Sequence, residues 1–158
     1  MTVDFVFKKA PSYRVASIRY TGRWRENHLR AEFRELTAWA KRNGARAGRW
    51  LFCEIDGPNS RRADSQRRWE ACLEIKGTAP PAGRIKFKTL PVHRVASVTF
   101  DPEKVSARLI YHGLADWLRW RKKEGDIRHA GITREVYSAD PWANARAWSH
   151  AEVQVLVE

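Results

Sequence analysis

The 158-residue chain predicts an α+β fold, a pseudo-twofold tandem repeat of two β-α-β-β units, and two observations carry that prediction. First, the chain repeats itself. Phe7–Tyr20 (FKKAPSYRVASIRY) lies over Phe87–Phe100 (FKTLPVHRVASVTF) without a gap, at a constant offset of 80, and seven of the fourteen positions are identical, including an unbroken Arg-Val-Ala-Ser run. Two copies are too few to stack as a solenoid. They divide a single domain, residues 1–158, into halves of about 1–78 and 84–158. Second, the same element order follows each copy. Such units place one main helix on each half's antiparallel sheet and leave a cleft at the seam between halves.

In the first half an extended segment at Val3 to Phe7 precedes a strand at Val15 to Tyr20, which is rich in β-branched residues and partly alternating. Leu29, Phe33, Leu36 and Ala40 then recur at helical spacing, and Asn43-Gly44 stops the helix. Arg49 to Ile55 reads as a strand, Asp56-Gly57-Pro58-Asn59-Ser60 as a turn, and Arg68 to Ile75 as a further strand. Gly77 to Gly83, with two prolines, links the halves. The second half runs Val95 to Phe100 as strand, then a helix capped by Asp101 with Pro102 in its first turn. Val105, Leu109, Leu114, Trp117 and Leu118 form its buried face, Gly113 marks a close contact, and Gly125 ends it. Ile132 to Tyr137 and Glu152 to Val157 are the last strands.

Composition narrows the function. Eight Trp, six Phe and four Tyr argue for a packed core, and two cysteines exclude a disulfide scaffold. No apolar run approaches the roughly 18 residues of a membrane span, so no membrane partner is expected. The N-terminus has no signal-peptide core, so a cytoplasmic location is expected. The net charge is +12, but its 30 basic residues are spread along the chain without a block, and direct nucleic-acid binding is not expected. There is no i, i+4 histidine pair and no Cys-x-x-Cys, so no metal is expected. A P-loop, a dinucleotide fingerprint and a Gly-x-Ser-x-Gly elbow are also missing, so no cofactor and no serine hydrolase chemistry are expected. Cys53 and Cys72, on consecutive strands, read as small buried hydrophobes.

The carboxylates among apolar strand residues carry more information. Alternation puts Thr133, Glu135 and Tyr137 on one face of their strand and Ile132, Arg134 and Val136 on the other. If the first face lines the seam, Glu135 is a carboxylate beside a phenol in a semi-apolar cleft, able to pair with a cation or to act as a general base. Glu54, Glu70 and Glu74 read instead as cross-strand partners of arginines. Trp39 and Trp117 have core spacing, whereas Trp142 and Trp148 sit in a loop and are placed to cover a cleft mouth.

In order, the chain carries Val15-Ala-Ser-Ile-Arg-Tyr-Thr-Gly-Arg-Trp24, a helix with Phe33, Leu36 and Trp39, then Asp56-Gly57-Pro58 and Arg68-Trp69-Glu70. Arg-Val-Ala-Ser returns at 94–97, followed by Glu135-Val136-Tyr137 and Glu152-Val153-Gln154-Val155. This set resembles the GyrI-like small-molecule binding domain, also called the AraC effector-binding domain, over nearly the whole chain. The resemblance implies an SHS2-type tandem fold whose cleft takes lipophilic, often cationic compounds, with the family's penultimate-strand glutamate falling on Glu135. The expected lining is Glu135, Tyr137, Trp24, Trp50, Phe100, Trp117, Trp142 and Trp148. The family also implies two alternatives. One is hydrolysis of cyclopropane-type electrophiles, with Glu135 and Tyr137 catalytic and Glu54 or Glu70 as a second acid; the other is modulation of DNA gyrase as a protein partner. The chain departs from the family pattern at Asp101-Pro102-Glu103, at Glu70 and at Glu54. The two halves consume the length that a helix-turn-helix domain would need.

Overall fold

A computed structural model describes residues 3–24, 26–57 and 61–158. The elements are β1 (Val6–Ala10), β2 (Tyr13–Thr21), α1 (Glu26–Arg42), β3 (Arg46–Glu54), β4 (Arg68–Lys76), β5 (Lys86–Leu90), β6 (His93–Phe100), α2 (Ala107–Lys123), β7 (Ala130–Tyr137), the single turn α3 (Ala145–Trp148) and β8 (Ala151–Val157). Both β-α-β-β units are present, each preceded by a short leading strand. Pro58, Asn59 and Ser60 of the expected turn lie outside the described residues.

The two halves share one antiparallel sheet of eight strands, in the order β1-β6-β8-β7-β3-β4-β2-β5. The seam is therefore a continuous ladder between β3 and β7. The leading strands cross over: β1 completes the second half's edge through β6, and β5 completes the first half's edge through β2. This exchange ties the halves together, because neither sheet is complete without a strand from the other.

The register preserves the repeat. Ile18 and Val98, 80 residues apart, face Ala71 and Val153, which in turn face Phe52 and Glu135. Phe52 and Glu135 are themselves partners. One cross-strand row thus reads Ile18, Ala71, Phe52, Glu135, Val153, Val98, with the pseudo-twofold passing between its two central members. Residues in one row point to one face of a sheet, and both helices cover that face. Phe33, Leu36 and Trp39 of α1 pack over the first half of the row, and Ile110, Leu114 and Leu118 of α2 over the second. Burying these side chains at roughly 25 cal/mol per Å² is the main source of the fold's stability. A smaller cluster of Tyr13, Val15, Leu51, Cys53, Cys72 and Val136 occupies the opposite face.

Two details of α2 differ from the sequence expectation. Asp101 does not cap it. Its Oδ1 accepts the Glu103 N–H at 2.9 Å and its carbonyl accepts from Lys104 and Val105, closing a separate turn, and the helix opens after Ser106. Leu109 is 67 % exposed, and Ile110 takes its place in the core. Gly113 does mark a close approach: a Cβ there would lie 3.1 Å from Phe5 Cζ.

Candidate functional site

The floor of the site is the β3–β7 seam, where Trp50 pairs with Tyr137 and Phe52 with Glu135. Strand alternation sends all four side chains toward the helices. Around them lies a cavity of about 260 Å³, walled by Leu29 and Phe33 of α1, Phe100 and Pro102 after β6, Ala107 of α2, Pro141, Trp142 and Trp148 of the β7–β8 loop, and Trp24. Seven of the eight residues expected in the lining are here: Trp24, Trp50, Phe100, Glu135, Tyr137, Trp142 and Trp148. The eighth, Trp117, lies elsewhere, with ring centroids 5.9 Å from Phe5 and 4.6 Å from Phe7 under the β1 edge. Its helical spacing puts it on the flank of α2 that faces the leading strand rather than the seam.

The aromatic wall is built in contacts of standard geometry. Phe33 stacks on Trp50 at 4.4 Å, and Trp142 tilts against both at 6.2 and 6.0 Å. Phe52 stacks on Trp69 at 5.5 Å, and Trp24 leans on Phe52 at 4.7 Å. Tyr137 lies parallel to Trp148 at 6.3 Å. Local sequence sets these rings. The Trp69 indole donates to the Gly22 carbonyl at 2.8 Å, where φ of +145° favours glycine. Asp140 accepts the Trp142 N–H at 2.9 Å, and Asn144 caps the single turn that carries Trp148. Trp24 and Trp148 remain 49 % and 37 % exposed, so they form the mouth.

Glu135 sits at the centre. The Tyr111 hydroxyl of α2 donates to its Oε1 at 2.5 Å, and the Tyr137 hydroxyl donates to its Oε2 at 2.8 Å. Burial, and then the Glu135 charge, push both phenols far above their ordinary range, so they stay protonated donors. Among the described residues no Lys, Arg or His lies within ion-pair distance of Glu135. Tyr111 escaped the sequence analysis. The available signal was the row Ala107, Tyr111, Leu114, Leu118, which repeats the spacing of Leu29, Phe33, Leu36, Ala40 in α1.

The other carboxylates are engaged with cations. Glu54 pairs with Arg67; burial holds its pKa above the usual range despite that arginine, and the Glu135 charge adds to the rise. Glu70 points to the opposite face, paired with Lys88 at 2.6 Å and Arg19 at 3.5 Å, and Glu74 lies 3.7 Å from Arg49. A buried acid that the sequence did not single out is Glu32 of α1. Burial pushes its carboxyl up to about 7, with Arg84 at 3.9 Å offsetting part of the rise. Among the described residues no three His, Cys, Asp or Glu side chains are placed to hold a metal ion, and no helix is long and apolar enough to cross a membrane.

An eight-stranded antiparallel sheet with a seam cavity of aromatics around one carboxylate defines a ligand-binding domain of duplicated β-α-β-β type. The sequence profile of the GyrI-like small molecule binding domain matches residues 4–157. The chain belongs to that family. No curated protein matches it in sequence at a significant level. Among solved structures, the C-terminal domain of EcmrR is similar at 18 % identity and TM-score 0.77, covering 100 % of this chain and 99 % of that one. A hydrolase encoded by lin2189 from Listeria innocua superposes with TM-score 0.59 at 12 % identity, over 98 % of this chain and 91 % of that one. SAV2435 bound to tetraphenylphosphonium superposes with TM-score 0.56 at 9 % identity, over 98 % and 94 % of the two chains. At these identities the likeness establishes a shared fold.

Proposed function

We propose that this domain binds lipophilic cations at the seam, in sensing or sequestration in the cytoplasm, with Glu135 as the charge partner. The observation that supports this reading is the carboxylate at the centre of an aromatic cavity with no cation within ion-pair distance among the described residues. A charge in a partly dry cleft interacts more strongly than one in water, and indole faces attract cations over a range of shapes. The cavity's 260 Å³ is just below the roughly 300–1,000 Å³ of drug-sized sites. A neighbouring hollow of about 220 Å³ shares Trp50 and Trp142 and is bordered by Arg30, Arg34 and Asp140.

The two phenol donors fix the orientation of the Glu135 carboxylate at the seam, and each of its oxygens keeps a second lone pair for a ligand. Tryptophan fluorescence quenching by tetraphenylphosphonium and by neutral triphenylphosphine oxide tests the reading. Glu135→Gln should weaken the cation about tenfold and the neutral compound little. Equal losses for both compounds, or no quenching by either, would refute it.

A further inference from the structure

The strand that sends Glu135 into the seam sends the adjacent Arg134 through the opposite face of the sheet. Arg134 is 3 % exposed. Its Nε donates to Gln154 Oε1 at 2.7 Å and its guanidinium carbon lies 5.2 Å from the centre of the Tyr13 ring. Nη2 has no hydrogen-bond partner, and no carboxylate lies within ion-pair distance of Arg134 among the described residues. Glu70 borders the same cavity as Arg134, but Lys88 and Arg19 already pair with it. A guanidinium removed from water without a counter-charge is unfavourable, and such groups ordinarily find a partner.

Arg134 lines a cavity of about 260 Å³ on this face, separate from the seam. Its apolar wall is formed by Ile55, Leu90, Ile132 and Leu156, and its polar border by Arg19, Lys88, His93 and the Glu70 carboxylate, which Lys88 and Arg19 neutralise. A fixed cation with no ion-pair partner, beside an apolar wall and further cations, matches a ligand with one anionic head and a short hydrocarbon body. A planar carboxylate fits a guanidinium best, because two parallel N–H bonds reach its two oxygens.

We propose that the face opposite the seam holds a second ligand site, for small amphipathic carboxylates, with Arg134 binding the carboxylate and Ile55, Leu90, Ile132 and Leu156 enclosing the tail. The site is independent of Glu135 and of the seam ligand. The test is an NMR titration of the backbone amides with hexanoate at millimolar concentration, with hexanamide and sulfate at matched ionic strength as controls. Hexanoate should shift the amides of Ile55, Leu90, Ile132 and Leu156, and hexanamide and sulfate should bind about tenfold more weakly or not at all. Arg134→Met, which fills similar volume without the charge, should lose hexanoate about tenfold while retaining tetraphenylphosphonium quenching. Leu156→Trp, which keeps the arginine and fills the pocket, should also abolish hexanoate binding, and it serves if the first variant fails to fold. Absence of shifts with hexanoate, equal binding of hexanamide or sulfate, or undiminished hexanoate binding in a folded variant would overturn the proposal.

Discussion

Replacing Glu32 by Gln should stabilise the protein at pH 8 and leave it nearly unchanged at pH 4.5. The carboxyl is 3 % exposed and its Oε1 lacks a hydrogen-bond partner, so ionisation there is opposed. Below its ordinary value of 4.5 both folded and unfolded chains hold the proton, and the group costs nothing. Between 4.5 and about 7 the unfolded chain releases the proton while the folded one retains it, so stability falls as pH rises. Above 7 the penalty levels off. The gap corresponds to about 2–3 kcal/mol, at roughly 1.4 kcal/mol per pH unit and allowing for water around the half-exposed Arg84. Gln is neutral throughout and escapes this penalty, and Arg84 keeps its other partner, Glu35, at 2.8 Å. Urea unfolding of both proteins at the two pH values reads the effect, because every other titrating group cancels in the difference. A difference between variant and parent that stays constant across the pH range would refute the reasoning. The result bears on the seam as well, since Glu32 lies in a small hollow with Trp24, Leu29 and Phe52, which also line the seam cavity.

Tyr111→Phe removes one of the two donors to Glu135 and should lower unfolding stability by about 1.5–3 kcal/mol, the net worth of a hydrogen bond to a charged group. Tetraphenylphosphonium quenching should persist, since the carboxylate and its Tyr137 bond remain; loss of binding would make Tyr111 part of the ligand contact. The two cysteines are both buried and free, and Cys72 is held well above the usual thiol range first by its neighbour Cys53 and then by burial. Neither should react with an aromatic disulfide reagent at pH 8 until urea unfolds the chain, when both thiols should be titrated; fast reaction in the native state would contradict their placement.

The fold was legible because a repeat constrains everything downstream of it. Once Arg94-Val-Ala-Ser97 copied Arg14-Val-Ala-Ser17, the helix and strands after one copy predicted those after the other. Strand phase was equally readable: a period of two put Glu135 and Tyr137 on one side and Arg134 on the other. The crossing of β1 and β5 was not legible, because pairing partners are set by three-dimensional proximity rather than by the pattern within a strand. Asp101-Pro102 misled because an aspartate that accepts an N–H two residues on makes a turn as readily as a cap. That turn delays α2 to Ala107 and leaves Pro102 free to line the cavity. Tyr111 was hidden because a tyrosine on an apolar helical row looks like core until its hydroxyl is seen to meet Glu135.

The pseudo-twofold explains why a duplicated chain suits this site better than two identical subunits would. Phe52 and Glu135 occupy equivalent positions and face each other across β3 and β7. In a symmetric pair both would be the same residue. Two glutamates there would sit roughly 5 Å apart on neighbouring strands, and their repulsion in an aromatic cleft would force one to stay protonated. Two phenylalanines would leave no charge to meet a cation. Fusing the halves lets one position become a carboxylate and its counterpart a ring that stacks on Trp69. The same freedom acts on the other face, where Arg134 is the counterpart of Leu51, and a cation stands against a buried hydrophobe. Both proposed sites therefore use a position where the repeat has diverged in charge, while Ile18 and Val98, in the same row as Phe52 and Glu135, have barely changed.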